Sequence, residues 1–269
     1  MKEGFVFKPS DHTFAVCAYG ESPYLEECIR SLLAQSLKTN ILISTSTPNE
    51  HIATIAKKYE IKLYINSGAP SISHDWNCAL SHAKTRLVTV AHQDDVYLPD
   101  FSGSVVKLMA EENSPLIAFT DYGEIRNGKP DDRNRLLNIK RAMLAPLKTR
   151  RLRGSRFARR RILSFGSAIC CPSVTFCVPN LPSPVFLDDM KCDLDWEAWE
   201  RFSRMEGSFL YVPTILMRHR IHGESETTAL IGNDTRSRED LEMLERFWPK
   251  SIASFINRFY SSSQRSNEM

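Results

Sequence analysis

The feature that most constrains this chain is an alternation that fills its first 120 residues. Short apolar runs of β-forming residues take turns with stretches of helical spacing. Thr13 to Tyr19 (TFAVCAY) reads as a strand. From Pro23 to Ser36, apolar Leu25, Cys28, Ile29, Leu32 and Leu33 recur at helical spacing, with Ser22 as an N-cap and Pro23 at the first helical position. Asn40 to Ser46, Ile61 to Ile65, Leu87 to Ala91 and Leu116 to Thr120 read as further strands, separated by helices over 49–60, 72–84 and 100–112. Strands that are continuous apolar runs, each followed by an amphipathic helix, indicate a mostly parallel sheet covered on both faces. In such sheets ligands bind beyond the carboxyl ends of the strands. Those ends are Ala18-Tyr19-Gly20-Glu21, Ser44 to Thr47 and His92-Gln93-Asp94-Asp95. Neither GxGxxG nor GxxxxGK[ST] occurs, so no glycine-rich cradle for a dinucleotide or a triphosphate is present.

The second half is less regular. Residues 127–134 read as an exposed turn, and 136–161 as a basic helical stretch. Residues 169–186 are proline-rich strands and loops, and 193–206 form a helix with Trp199, Phe202 and Met205 on one stripe. A strand over 209–217 precedes a polar loop over 219–228, and from about Ser237 amphipathic helices lead to a polar tail. The division this suggests is 1–228 as one domain (13–125 binding, 126–228 catalytic and acceptor side) and 229–269 as a helical extension.

Composition places the chain among globular proteins: 42% of residues are hydrophobic and 25% charged, too apolar for a disordered segment. No apolar run approaches the ~20 residues of a membrane span. The N-terminus lacks the apolar core of a secretory leader, so the cytoplasm is the expected location. The seven cysteines are scattered, odd in number and mostly set among apolar residues, which suits reduced core thiols. The net charge of +3 is uneven, because Lys148, Arg150, Arg151, Arg153, Arg156, Arg159, Arg160 and Arg161 supply eight positive charges within 14 residues.

Three clusters could carry chemistry. Asp94 and Asp95 follow a buried strand, and adjacent carboxylates there resist joint ionisation unless a cation neutralises them. A hard divalent ion, Mg2+ or Mn2+, suits such oxygen ligands; the alternative is a pair of capping aspartates before the helix near Pro99. Asp195, in Asp193-Leu194-Asp195-Trp196-Glu197, sits in the first turn of its helix. It can be a general base there, or can simply complement the dipole behind an Asp193 N-cap. His219-Arg220-Ile221-His222 can offer imidazole to a metal and guanidinium to phosphates.

Together the stretches VTVAHQDDVYLPDF, DLDWEAWERF and HRIHGES resemble the signature segments of family 2 inverting glycosyltransferases, in the family's order and across residues 13 to 228. The resemblance implies a GT-A fold: a Rossmann-like, mostly parallel α/β sheet flanked by helices, with an irregular acceptor-side second half. It implies transfer of a hexose from a nucleotide diphosphate sugar, UDP by preference, to an acceptor hydroxyl in polysaccharide or glycoconjugate synthesis. By the same resemblance, Asp195 is the general base. Asp95 and His222 are at the metal, and Ala18, Tyr19, Glu21, Ser44, Asn77, Asp94 and Arg220 are around the nucleotide-sugar. The chain departs from the family where Ser44-Thr45-Ser46-Thr47 replaces an acidic run, and where His92 and Leu194 replace acids.

The implied partners are the donor and a saccharide or lipid-linked saccharide acceptor, with oligomerisation left open. The basic segment can be a solvated face, a contact with the inner face of a membrane, or a phosphate-binding patch. The last would make the chain a nucleic-acid-binding protein, but only Phe157 is interleaved for stacking, so no nucleic acid is expected. A sugar-phosphate nucleotidyltransferase is a further rival, and the segment 19–23 lacks the glycine-rich basic loop such an enzyme needs.

Overall fold

The computed structural model describes residues 7–222 and 235–265. The strands β1 (His12–Cys17), β2 (Asn40–Thr45), β3 (Lys62–Ile65) and β4 (Leu87–His92) alternate with helices α1 (Leu25–Leu33), α2 (Glu50–Lys58) and α3 (Ile72–His82). They pair in parallel in the order β3-β2-β1-β4. Their apolar continuity has the expected cause. Ala15 and Val88 enter the core on one face of the sheet, while Phe14, Val16 and Leu87 enter the core on the other.

Beyond β4 the sheet continues in a way the alternation does not foretell. The proline-rich segment supplies β8 (Val174–Cys177), which runs antiparallel between β4 and β6 (Pro115–Arg126). β6 continues well past Thr120 and pairs in parallel with β9 (Ser208–Ile221), which in turn pairs antiparallel with the two-residue β5 (Val96–Tyr97). A short hairpin strand, β7 (Lys129–Asp131), closes back on β6 at the turn read over 127–134.

Four local expectations are corrected. Helix α1 opens at Leu25 rather than Pro23, with Tyr24 at the N-cap position, and the Ser22 hydroxyl accepts a weak bond from the Tyr24 N–H. The basic stretch is three helices, α5 (Arg135–Leu144), α6 (Arg150–Arg153) and α7 (Arg156–Leu163). Pro146 lies in the 3₁₀ turn between the first two, and Gly154 with the Ser155 cap separates the last two. The polar segment from His219 is strand through Ile221, and its residues 223–228 lie outside the described part. Asp193 holds the N-cap position of α8 (Leu194–Ser203), but its side chain makes no capping bond.

The basic segment is partly structural. Arg159 is buried, donating to the carbonyls of Phe202 and Met205 with its guanidinium over Phe209. Arg160 pairs with Glu200, and Arg161 lies over the Trp248 ring. Lys148, Arg150, Arg151 and Arg156 remain on the surface, as does Phe157, which is 74% exposed.

Helix α4 (Phe101–Ala110) packs behind β6 and β9, and the chain closes with α9 (Thr235–Glu245) and α10 (Lys250–Arg265). Met243 and Leu244 of α9 join the core that holds Trp196 and Trp199 of α8. All seven cysteines are free thiols. No helix among the described residues is long and apolar enough to cross a membrane.

Candidate active site

The strand order reverses between β1 and β4, where the chain has gone outward through β2 and β3 and returned on the other side of β1. This is the crevice in which open α/β sheets bind ligands. Cys17 and His92 are the last paired residues of the two strands. Past Cys17, Gly20 takes a φ of +59°, a left-handed conformation that glycine adopts without strain, and its N–H donates to Thr47 Oγ1 at 2.8 Å. The turn leaves the Tyr19 ring 55% exposed over the crevice. Its backbone is fixed by Gln93, which accepts from the Tyr19 N–H at 3.0 Å and donates to the Tyr19 carbonyl at 2.9 Å. Ala18 is buried beneath, and Glu21 is exposed beside the turn.

The acidic pair follows β4, and β5, starting one residue later, carries it against β9. Val96 pairs with Arg218, so His219 and Arg220 fall beside the aspartates. Asp95 is fully buried. Its Oδ1 accepts from His219 Nδ1 and from the Arg220 backbone N–H, each at 2.9 Å, while its Oδ2 is buried without a hydrogen-bond partner among the described residues. Asp94 is more open and accepts from His222 Nε2 at 3.0 Å. His92 Nε2 is a second buried atom without a hydrogen-bond partner among the described residues, and the His92 ring stacks on Trp76 at 5.1 Å. One ligand atom each from His92, Asp94 and Asp95 lies within 4.8 Å of the others. Two such buried atoms on residues clustered with a third, partly exposed carboxylate fit a divalent cation.

Electrostatics agree with a site built for charge. Burial pushes the Asp94 carboxyl up, but the charges of His219 and His92 and the His222 hydrogen bond outweigh it, leaving the group below the ordinary carboxylate range. Burial pulls the His219 imidazole down, but Asp95 lifts it by charge and hydrogen bond to about 9.

Asp195 lies partly exposed in the first turn of α8, where its Oδ1 accepts from the Trp196 N–H at 2.6 Å. Burial raises its pKa to about 6, against the lowering effects of that backbone bond and of the Arg236 and Lys140 charges. The turn at Cys170 and Cys171 lies within reach of both acidic centres. Burial pushes its thiols up, and the charges of Asp95 and Asp195 add to the shift. A run of edge-to-face aromatic contacts links the same two regions, from Trp76 through Phe186 to Trp199 of α8.

Three residues expected around the donor have polar groups bonded within the protein. Ser44 is buried and donates its hydroxyl to Asn66 Oδ1 at 2.9 Å. Asn77 is a clamp: its Nδ2 donates to the Phe186 carbonyl at 2.8 Å, and its Oδ1 accepts from the Val185 and Phe186 N–H groups, each at 3.1 Å. Arg220 is 7% exposed, with Nε on the Asp94 carbonyl at 2.8 Å, Nη2 on Glu27 at 2.6 Å and its guanidinium 4.2 Å from the centre of the Tyr24 ring. It holds the acidic loop rather than offering a free charge. In place of Ser44, Asp75 of α3 reaches the ends of β2 and β3, its Oδ1 accepting from Ser46 and Asn66. Asp75 lies outside the segments that the sequence singles out, whereas His92 and Gln93 stand beside the acidic pair there and His219 opens the His219-Arg220-Ile221-His222 segment.

A curved, mostly parallel sheet with an acidic pair at its switch point, and a carboxylate at the start of a later helix, is an arrangement of the GT-A type. The model of the glycosyl transferase family 2 matches residues 13–177, and the chain belongs to that family; it is a glycosyltransferase. No curated protein matches it in sequence. Among solved structures it is similar to the mannosyltransferase PcManGT from Pyrobaculum calidifontis in complex with GDP-Man and Mn2+. That match has a TM-score of 0.65 at 14% identity, covering 95% of this chain and 73% of that one. Residues 1–349 of S. aureus TarS, in complex with UDP-GlcNAc, match with a TM-score of 0.55 at 15% identity, covering 92% and 70%. Glucosyl-3-phosphoglycerate synthase from Mycobacterium tuberculosis, with Mn2+ and UDP-glucose, matches at 0.55 and 13%, covering 88% and 79%.

Proposed function

We propose that the protein is an inverting, metal-dependent glycosyltransferase that moves a hexose from a nucleotide diphosphate sugar to a hydroxyl of a saccharide or lipid-linked saccharide. The observation that carries this is the pairing of two unlike acidic centres. One is a cluster with orphaned buried ligand atoms at the sheet's switch point; the other is a carboxylate of raised pKa at the start of α8.

Asp94 and Asp95, with His92, would hold Mn2+ or Mg2+, and His222 would steady Asp94. A cation so held acts as a Lewis acid toward the charge that builds on the departing diphosphate. Asp195 removes the proton of the acceptor hydroxyl as its oxygen attacks the anomeric carbon from the face opposite the diphosphate, which inverts the configuration. A basicity lifted toward neutral pH suits that task, because a general base works best with a pKa near the operating pH. Tyr19 offers its exposed face to the base. Asp75 stands where the family's acidic run would, and its carboxylate can accept the N3–H of uracil. UDP is therefore the nucleotide we expect, with GDP its competitor.

The exposed part of the basic segment supports an acceptor at a membrane surface. Phe157 is exposed on α7 with the Arg161 guanidinium over its ring, and Lys148, Arg150, Arg151 and Arg156 are exposed in the same segment, a composition that suits contact with anionic lipid. Thermal-shift titration with UDP, GDP and their sugars, with and without Mn2+, tests the donor assignment. One diphosphate should stabilise the protein only when metal is present. Equal, metal-independent stabilisation by every nucleotide would contradict it.

A further inference from the structure

The turn that delivers Asp195 to the site has an unusual anchor. Lys191, Cys192 and Asp193 precede α8 with three successive backbone N–H groups, and all three donate to one carboxylate. Glu239 Oε1 accepts from Lys191 at 3.0 Å; Oε2 accepts from Lys191 at 3.1 Å, from Cys192 at 2.8 Å and from Asp193 at 3.2 Å. Glu239 is 6% exposed and belongs to α9, beyond the residues 13–177 that match the family model. Asp193 holds the N-cap position without a capping bond of its own, and the anion that satisfies the N–H groups of the turn before the helix comes from 46 residues after it.

The docking of α9 extends beyond one side chain. Met243 and Leu244 are fully buried in the core shared with Trp196 and Trp199, and Arg246, just past α9, donates to Glu197 Oε1 at 3.3 Å. Asp240 faces Asp193 closely enough that each acts on the other's proton, and the charge of Arg236 acts on Asp193, Asp195 and Asp240.

We infer that Glu239 is a positioning residue for catalysis: the C-terminal helix α9 sets the turn 191–193, and with it the place of the Asp195 carboxylate. Charge-assisted bonds to a buried carboxylate are about twice as strong as neutral ones, and three of them converge two to four residues before Asp195. The inference rests on Asp195 being the base. Its distinctive content is that the chemical step depends on a helix that touches neither the acidic pair nor Tyr19 in any described contact.

The test is steady-state transfer by full-length Glu239→Gln, with Glu239→Ala, Asp195→Asn and Glu242→Ala beside it. In Glu239→Gln one amide oxygen still accepts while the amide nitrogen opposes the N–H groups, so the turn is loosened without removing the side chain. The expected result is a kcat lower by about 10-fold in Glu239→Gln and about 100-fold in Glu239→Ala, the scale on which small misplacements cost rate. Donor KM and the metal-dependent thermal shift by the nucleotide diphosphate should stay within twofold. Formate should restore part of the kcat of Glu239→Ala by refilling the anion position. Glu242, one turn along at 62% side-chain exposure with Arg246 3.6 Å away, is the control and should leave kcat unchanged. A Glu239→Gln protein with the wild-type nucleotide-induced shift and wild-type kcat overturns the inference. If Asp195→Asn also turns over normally, the base assignment itself fails; if Asp195→Asn is inactive while Glu239→Gln is normal, only the positioning role fails.

Discussion

Replacing Asp195 with Asn removes one oxygen's negative charge and keeps the shape, so it isolates the proton-accepting role. General-base assistance is worth about 10²–10⁴ in rate, and kcat should fall by that factor while donor KM stays within about twofold. The raised pKa adds a second signature. The carboxyl is held up to about 6 by burial, so it is ionised above that pH and protonated below it. At pH 7.5 about 97% of the group is the free base, and at pH 5 only about 9%, so kcat/KM should drop roughly tenfold across that interval. Initial rates of transfer from a nucleotide-sugar to acceptor across pH 5–8, for wild type and variant, measure both effects. A flat wild-type profile, or a variant with wild-type turnover, would refute the reasoning. Its neighbours are poor substitutes, because Glu197 is buried between Arg201 and Arg246, and Asp193 is buried against Asp240.

Tyr19→Ala should raise donor KM by roughly 5- to 100-fold with kcat nearly unchanged, since aromatic stacking on a base is worth about 1–3 kcal/mol. Competition binding of the free nucleotide would check it, and unchanged affinity would remove Tyr19 from the base site. The double variant Arg151→Glu with Phe157→Ser should lose sedimentation with anionic-lipid vesicles at low salt, yet keep transfer to a soluble acceptor. Equal sedimentation of variant and wild type would leave the basic face as a solvated one.

Much of the frame is legible in the sequence because β1, β2 and β4 are covered on both faces. That forces continuous apolar runs that no loop would show, and the acidic pair at the end of such a run follows from it. The parts that stay hidden depend on partners far away in the chain. His219 and Arg220 read as loop because they are polar, yet they are strand residues whose polar groups are satisfied by Asp94 and Asp95, more than 120 positions earlier. Ser44 and Asn77 stand at positions where the family resemblance places donor contacts, but in this chain their polar atoms are taken up by Asn66 and by the 185–186 backbone. Asp193 has the composition and position of a cap, and only the fold reveals that its side chain makes no capping bond while Glu239 holds the turn before the helix. The basic stretch looked uniform because charge runs hide direction; packing turned Arg159 inward and left Arg151 in solvent.

The acidic pair is the centre of the account, and isothermal calorimetry of the nucleotide diphosphate with wild type and Asp95→Ala, each with and without Mn2+, tests it most directly. The account predicts that Mn2+ strengthens binding to wild type by at least about tenfold, the order expected when a carboxylate site and a diphosphate share one cation. It predicts that Asp95→Ala binds the nucleotide weakly and equally under both conditions. A variant whose affinity and metal dependence match wild type would contradict the assignment of Asp94 and Asp95 as the metal and diphosphate site.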